Sequence, residues 1–267
     1  VLPEEANAEG PMSLVALGEQ FYVLDQVNNR VTRWGKDGKA QEMFRMDGLE
    51  AADLAVGADG SVAVLDRLVH KEVAVFKDGK RLASFPLDEE RFPEPGAVTG
   101  VFVDGDDVLV EKEHGALFRV GTIRGEPLSS PEELPGRPSR DGKLYLSAGI
   151  VDRDQGRVFV AAVDRVQMEA RFTRQLSFPG MLLSIAALDS DKKGIIYLGV
   201  TLDQGSATPT VVTCLEPTRG EPLGSVLIPT NESPEESLKE ITLTDDGTIV
   251  FAHRTEAGMS FESYRCP

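Results

Sequence analysis

Cysteine, histidine and asparagine are all scarce in this chain of 267 residues, and each shortage narrows what the protein can be. The two cysteines, Cys214 and Cys266, form no C-x-x-C and no zinc pattern. The histidines are His70, His114 and His253, and the asparagines are Asn7, Asn28, Asn29 and Asn231. An oxygen-rich cation site needs about six converging oxygens, and no set of acidic and Asn residues here plainly converges. No apolar run approaches the roughly 20 residues that a membrane helix requires. There is no G-x-S-x-G: the serines of GSV (60–62) and GSA (205–207) lack the second glycine and the strand-to-helix elbow of a hydrolase nucleophile. No glycine-rich phosphate loop precedes a helix, and no helix of length is expected. Positive charge is also short, with 28 Lys and Arg against 44 Asp and Glu, a net of −16. Such a field repels phosphate backbones and anionic headgroups, which disfavours nucleic acid and membrane surfaces as partners.

What the chain does have is a repeat. Short apolar strands ending in an acid recur as FYVLD (21–25), VAVLD (62–66), DVLVE (107–111), VFVAAVD (158–164) and IIYLGVTLD (195–203), with IVFAH (249–253) as a sixth that lacks the acid. A spacing of about 40–50 residues suits a four-stranded propeller blade. Each follows another strand and a turn rich in Gly and Asp, as in LAVGADGSVAVLD and ITLTDDGTIVFAH. In blade four the pair reads LYLSAGIVDRDQGRVFVAAVD, so LYLSAGIVD is expected as the first strand and VFVAAVD as the second. Third strands follow, among them RVTRW, EVAVF, VQMEARF and SFESYRC (260–266). KDGK occurs at 36–39 and 77–80, and RGEPL at 124–128 and 219–223.

These signals predict an all-β fold, a six-bladed β-propeller of four-stranded antiparallel blades, as one domain over 1–267. The blades fall at approximately 11–48, 49–92, 93–138, 139–180, 181–232 and 233–267, with 1–10 as a candidate closing strand. Such a blade is apolar on both faces and buries them only against its neighbours.

The segment FYVLDQVNNRVTRWGKDGK (21–39) resembles an NHL repeat, in which an aromatic-rich strand leads through Asp and an Asn-Asn-Arg turn to a second strand and a Gly turn. AVLDRLVHKEVAVFKDGK (63–80) is a weaker copy. The resemblance implies a propeller that presents one face to a partner. NHL-like relatives include RNA binders, protein-interaction modules and a zinc-dependent lyase, so the fold alone does not choose among them.

The acids that end the second strands are Asp25, Asp66, Glu111, Asp164 and Asp203, expected together on one face. A carboxylate ring for a cation or basic partner is one reading; the favoured one is that each accepts hydrogen bonds from the amides of its own turn. The three histidines fall in blades two, three and six, too dispersed and too far off the axis for the three-His zinc site their number would allow. Cys214 and Cys266 fall late in the third strands of adjacent blades. Equivalent positions there lie beyond the ~7 Å that a disulfide can span between Cα atoms. A regular ring therefore expects two free thiols, and only a distorted last blade would allow the bond.

Three proline-rich acidic connectors, 86–96, 129–142 and 228–237, should lie on the face of the second-to-third-strand turns. Binding residues concentrate on such loops, which makes Arg91, Phe92, Glu132, Arg137 and Arg140 the candidate binding residues. The chain begins at Val1 without an initiator Met, which fits either a removed signal or anchor or a trimmed N-terminus, and its polar opening is like a tail after a cleaved or tethered start. The expected protein is thus an extracytoplasmic, monomeric, non-enzymatic scaffold with no cofactor, binding a protein or small ligand and inserting in no membrane. The alternative is a metal-dependent hydrolase or lyase of the six-bladed type, with calcium or zinc in its channel.

Overall fold

The computed structural model describes residues 11–35, 37–46, 48–90, 92, 95–112, 115–231, 237–255 and 258–267. They form two compact units, Val1–Leu134 with Pro234–Glu240 and Pro135–Ser233 with Ile241–Pro267. In the first unit, blade one consists of β1 (Pro11–Leu17), β2 (Gln20–Asp25), β3 (Arg30–Trp34) and β4 (Ala40–Arg45). Blade two is β5 (Asp53–Val56), β6 (Val62–Asp66), β7 (Glu72–Lys77) and β8 (Lys80–Pro86). Blade three is β9 (Val98–Asp104), β10 (Asp107–Lys112), β11 (Ala116–Thr122) and β12 (Pro127–Leu134).

In the second unit, blade four comprises β13 (Arg137–Pro138), β14 (Leu144–Asp152), β15 (Arg157–Asp164) and β16 (Ala170–Ser177). Blade five holds β17 (Met181–Ser190), β18 (Ile196–Asp203), β19 (Thr210–Leu215) and β20 (Pro222–Ile228). Blade six shows three strands among the described residues, β21 (Ile241–Leu243), β22 (Ile249–Thr255) and β23 (Gly258–Tyr264). Every sheet is an antiparallel meander whose strands lie side by side in chain order, and six in succession make the expected all-β, six-bladed β-propeller. The expected closing strand at 1–10 lies outside the described residues.

Burial follows strand rank. β6, VAVLD, is buried at every position, as a strand packed on both faces must be, whereas β16 and β20 alternate exposed and half-buried residues. Apolar burial is therefore densest in the inner and middle strands, while the outer strands leave much of their length exposed and reach the core through single residues such as Phe44, Phe85 and Ile228.

One turn sets the register of the blades. Asp59-Gly60, Asp141-Gly142 and Asp246-Gly247 each join a first strand to a second, with the glycine at φ 81°, 73° and 85°. The aspartate accepts the amide two residues on, at 2.9, 3.1 and 3.2 Å. Leu144–Asp152 follows such a turn, and it is the second strand of blade four. This corrects the expected register there: the first strand is only Arg137–Pro138, and VFVAAVD is the third strand. Two residues, one of them proline, offer no apolar alternation by which to be noticed.

The shifted register reveals a second copy of the Asp-x4-Arg turn. Asp25 holds Arg30 at 2.8 Å and Asp152 holds Arg157 at 2.7 Å, and the residues before the arginines, Asn29 and Gly156, have φ of 52° and 66°. Each also accepts an amide from the residue just past the fourth strand, Met46 to Asn29 at 2.9 Å and Phe178 to Gly156 at 2.8 Å. At Gly156 an added Cβ would run into the carbonyl oxygens of Phe178 and Gly180. Gly156→Ala should therefore destabilise by about 2 kcal/mol or more. Asn29→Gly should stay within about 0.5 kcal/mol, because Asn and Gly both accept this conformation. Urea unfolding of the two variants checks the contrast.

The cysteines correct another expectation. Cys214 and Cys266 are joined as a disulfide, with Cα atoms 6.3 Å apart. Cys214 lies in β19, but β23 stops at Tyr264, so Cys266 is not a third-strand residue equivalent to it. The chain leaves the strand and turns toward blade five, where Pro267 packs on Gly224, a residue whose place a larger side chain would take.

Candidate functional site

The two ends of the blades carry different chemistry. At the turns from second to third strand Asp25, Asp66, Asp152 and Asp203 accept amides of their own turns, in the way the favoured reading expects. Asp66, with 0% exposure, accepts the amides of Val69 and His70 at 3.0 and 3.1 Å, that of Glu50 at 3.0 Å, and the His70 ring at 2.8 Å. Asp25 accepts Asn28 N–H at 3.2 Å, Asp152 that of Gln155 at 3.0 Å and Asp203 that of Gly205 at 2.8 Å. Asp164 caps in the same way, accepting the amides of Val166 and Gln167, but it ends a third strand. It therefore stands at the opposite end of blade four from Asp152, and the expected set of second-strand acids contains Asp152 in its place. Glu111 is buried beside Thr99.

Burial opposes ionisation of Asp66, yet the His70 ring and the three amides outweigh it and hold the carboxyl below its ordinary 3.8. A carboxyl depressed on folding contributes stability that is full above its unfolded pKa and lost as pH falls through its folded one. The stability gap between the parent and Asp66→Asn should thus be largest above pH 3.8 and shrink below it. Denaturant titrations from neutral pH into acid read this directly; a gap constant with pH would contradict it.

On these rigid turns, apolar side chains point outward. Val27 in blade one is 59% exposed, and Leu68 and Val69 in blade two are 64% and 54% exposed. Each of these turns directs its amides to the strand-ending aspartate and leaves these aliphatic side chains in solvent.

At the other end, where first strands turn into second strands, the second unit gathers a charge cluster. Arg140 holds Asp189 at 2.7 Å and Asp245 at 3.5 Å, while Lys192 holds Asp245 at 2.6 Å. Burial works against the Arg140 guanidinium, but the charges of Asp189 and Asp245 hold its pKa above the ordinary value. The Arg140 amide also donates to Ser190 Oγ at 2.9 Å. In the first unit a comparable knot centres on Asp53, fully buried. It accepts Ser13 Oγ at 2.6 Å, Val101 N–H at 2.9 Å and Lys239 Nζ at 2.7 Å, and Lys239 lies 4.6 Å from the centre of the Phe102 ring. Each knot ties together chain segments from three or more places in the sequence, which is structural work.

The candidate binding residues do not form one site. Arg91 lies outside the described residues. Phe92 is a core residue, 2% exposed, edge-on to Phe118 at 5.1 Å. Glu132 is in the outer strand β12, paired with Arg119. Arg137 is in β13, donating to Leu188 O at 3.1 Å, and Arg140 is in the turn that follows. These two therefore sit at or near the first-to-second-strand end and not on the connector face expected of them. Of the histidines, His70 is held by Asp66 and His253 by Glu262 at 2.7 Å, and His114 lies outside the described residues. Among the described residues, no group of three His, Cys, Asp or Glu is placed to hold a metal ion. The residues that sequence reasoning missed are Val27, Leu68 and Val69; their signal was two aliphatic residues, LV, directly after a strand-ending Asp-Arg.

The fold and its turns define a six-bladed β-propeller. Solved structures resemble it over most of their length. A streptogramin B lyase has 10% identity and a TM-score of 0.53, with 98% of this chain and 96% of that one covered. The virginiamycin B lyase of Staphylococcus aureus has 11% identity and a TM-score of 0.50, with 97% and 85% covered. The WD40 repeats of RRP9 have 10% identity and a TM-score of 0.53, with 93% and 88% covered. Identities this low establish likeness of fold alone. No family model matches the chain, and no curated protein matches it.

Proposed function

We propose that this protein is a non-enzymatic binding propeller that engages another protein through the second-to-third-strand turns of its first unit. The observation that carries the reading is the outward display of Val27, Leu68 and Val69 on turns braced from beneath by Asp25 and Asp66. Rigid turns bearing exposed aliphatic anchors lose little entropy on binding, which is what a docking surface needs. The blades descend from NHL-type repeats, a kinship supported by the recurrence of the Asp-x4-Arg turn at 25–30 and 152–157. The protein works outside the cytoplasm and without a cofactor; the Cys214–Cys266 disulfide supports that location. No helix among the described residues is long and apolar enough to cross a membrane.

A photo-crosslinking amino acid placed at position 68 and incubated with extracytoplasmic extract of the source organism should trap a discrete protein. The same group at Leu227, exposed on the outer strand β20, should not. Equal trapping from both positions, or none from 68, would sink the reading. The fold likeness to streptogramin B lyase keeps a metal-dependent lyase or hydrolase as the second reading. Calcium or zinc at one equivalent by elemental analysis of the purified protein would favour it.

A further inference from the structure

The turns that display Val27, Leu68 and Val69 belong to one strip of surface, tied together by backbone hydrogen bonds. Met46 N–H donates to Asn29 O at 2.9 Å, fastening the connector after blade one to the turn holding Val27. Four residues later, Glu50 N–H donates to Asp66 Oδ2 at 3.0 Å, fastening the same connector to the turn holding Leu68 and Val69. Four residues of chain span at most about 14 Å, so the two turns are neighbours. Leu87 N–H then donates to Lys71 O at 2.7 Å, bringing the next connector against the far side of the second turn. Turn, connector, turn and connector thus follow one another without a break.

The connectors send their apolar residues inward and their acids outward. Met46, Leu49 and Leu87 are buried at 1%, 6% and 0% exposure, while Glu50, Asp88, Glu89 and Glu90 are exposed. The same segments also carry the half-buried Arg67 and the exposed His70 and Lys71; His70 is engaged by Asp66 at 2.8 Å, and Asp25 by Arg30 at 2.8 Å. Exposed Glu50, Glu89 and Glu90 give the described part of this rim acidic side chains, in a chain whose net charge is already −16. Exposed aliphatic side chains inside an acidic rim select for a ligand that is apolar and cationic together. The same rim repels anionic bilayers, which separates this strip from a membrane-binding patch.

We infer that the strip formed by residues 25–30, 48–50, 66–71 and 87–90 takes a basic, apolar segment of a partner polypeptide. Aliphatic or aromatic side chains of that segment contact Val27, Leu68 and Val69, and its Lys or Arg side chains meet Glu50, Glu89 and Glu90. This rests on the reading of the turns as the binding face and adds the chemistry of what binds there.

The test is fluorescence anisotropy with a short labelled peptide alternating leucine with lysine, beside a leucine–glutamate peptide of the same length. The leucine–lysine peptide should bind, more weakly as salt rises, and the leucine–glutamate peptide should not. The Leu68→Asp, Val69→Asp double variant and the Glu89→Lys, Glu90→Lys double variant should each lose about tenfold in affinity or more. The charge-reversed variant should also gain affinity for the leucine–glutamate peptide. Leu227→Asp should bind as the parent does. All substituted side chains are exposed, so thermal unfolding should remain that of the parent.

Binding unchanged by both double variants, or lost equally in Leu227→Asp, overturns the inference. So does equal binding of the two peptides to the parent, or tighter binding of anionic vesicles than of the leucine–lysine peptide. If position 68 cross-links a partner but the peptide preferences fail, this inference falls and the binding-face reading stands. If position 68 traps nothing while the peptide binds as expected, the chemistry stands and the claim of a protein partner falls.

Discussion

Replacing Asp53 with alanine should cost about 3–5 kcal/mol of stability, far more than any surface ion pair of this protein. Asp53 is fully buried at the start of β5, and its two oxygens accept from Ser13 Oγ, the amides of Leu54 and Val101, and Lys239 Nζ. Those donors come from positions up to 186 residues away in sequence. Its loss leaves the Val101 amide without its acceptor and the Lys239 ammonium with Val101 O at 3.2 Å but no counter-charge, and Lys239 retains only 22% exposure with which to recover water. Lys239→Met should cost a similar amount, since it strands a charge at 0% exposure. The double variant should be less destabilised than the sum of the two, the sign of direct coupling. The Asp37–Lys39 pair, 58% and 85% exposed, is the control, and its removal should cost under about 1 kcal/mol. Guanidinium unfolding of the four variants reads all of these values; a loss at Asp53 no larger than at Asp37 would contradict the account of the knot.

The second large effect is expected at Cys266. Opening the disulfide with Cys266→Ser should destabilise the second unit by about 2–4 kcal/mol, because the bond closes a loop of 52 residues. Cys214 is buried at 1% exposure in β19, so the bond anchors the segment after β23 to blade five. Hydrogen exchange should quicken first in β23 and the residues after it, with the first unit unaffected. The exchange pattern separates a local clasp from a general loss: uniform quickening in both units would show that the bond does no local anchoring.

How far the sequence could be read depended on how local each signal was. Five of six second-strand segments were legible because an apolar strand and its turn, in four of them with a terminal acid, sit within a few residues of one another. Blade four was misregistered for the same reason. The long apolar runs at 144–152 and 157–164 drew the eye, while the true first strand is an Arg-Pro pair. The Asp141-Gly142 turn just before Leu144 carried the right register, since it matches Asp59-Gly60 and Asp246-Gly247. The acidic, proline-rich neighbours of Phe92 point to a surface loop. A lone large aromatic in such a connector is more economically placed as a plug, and here it meets Phe118 in the core.

The Asp53 knot was illegible in principle, because Ser13, Asp53, Val101 and Lys239 share no local pattern. A third-strand place for Cys266 keeps it out of reach of Cys214, whereas β23 ends two residues earlier and frees it to form the disulfide. The exposed Leu68-Val69 pair is set off from the apolar run of β6 by Asp66 and Arg67, but nothing local tells an exposed aliphatic pair from a buried one.

The measurement that bears most directly on the central claim is a hydrogen-exchange footprint of the protein with the partner captured at position 68, after that partner is purified. Protection should appear in residues 25–30, 48–50, 66–71 and 87–90, and be absent from the first-to-second-strand turns around Arg140, Lys192 and Asp245. Protection concentrated at those inner turns, with the Leu68 strip unchanged, would contradict the claim that the second-to-third-strand turns are the working surface of this propeller.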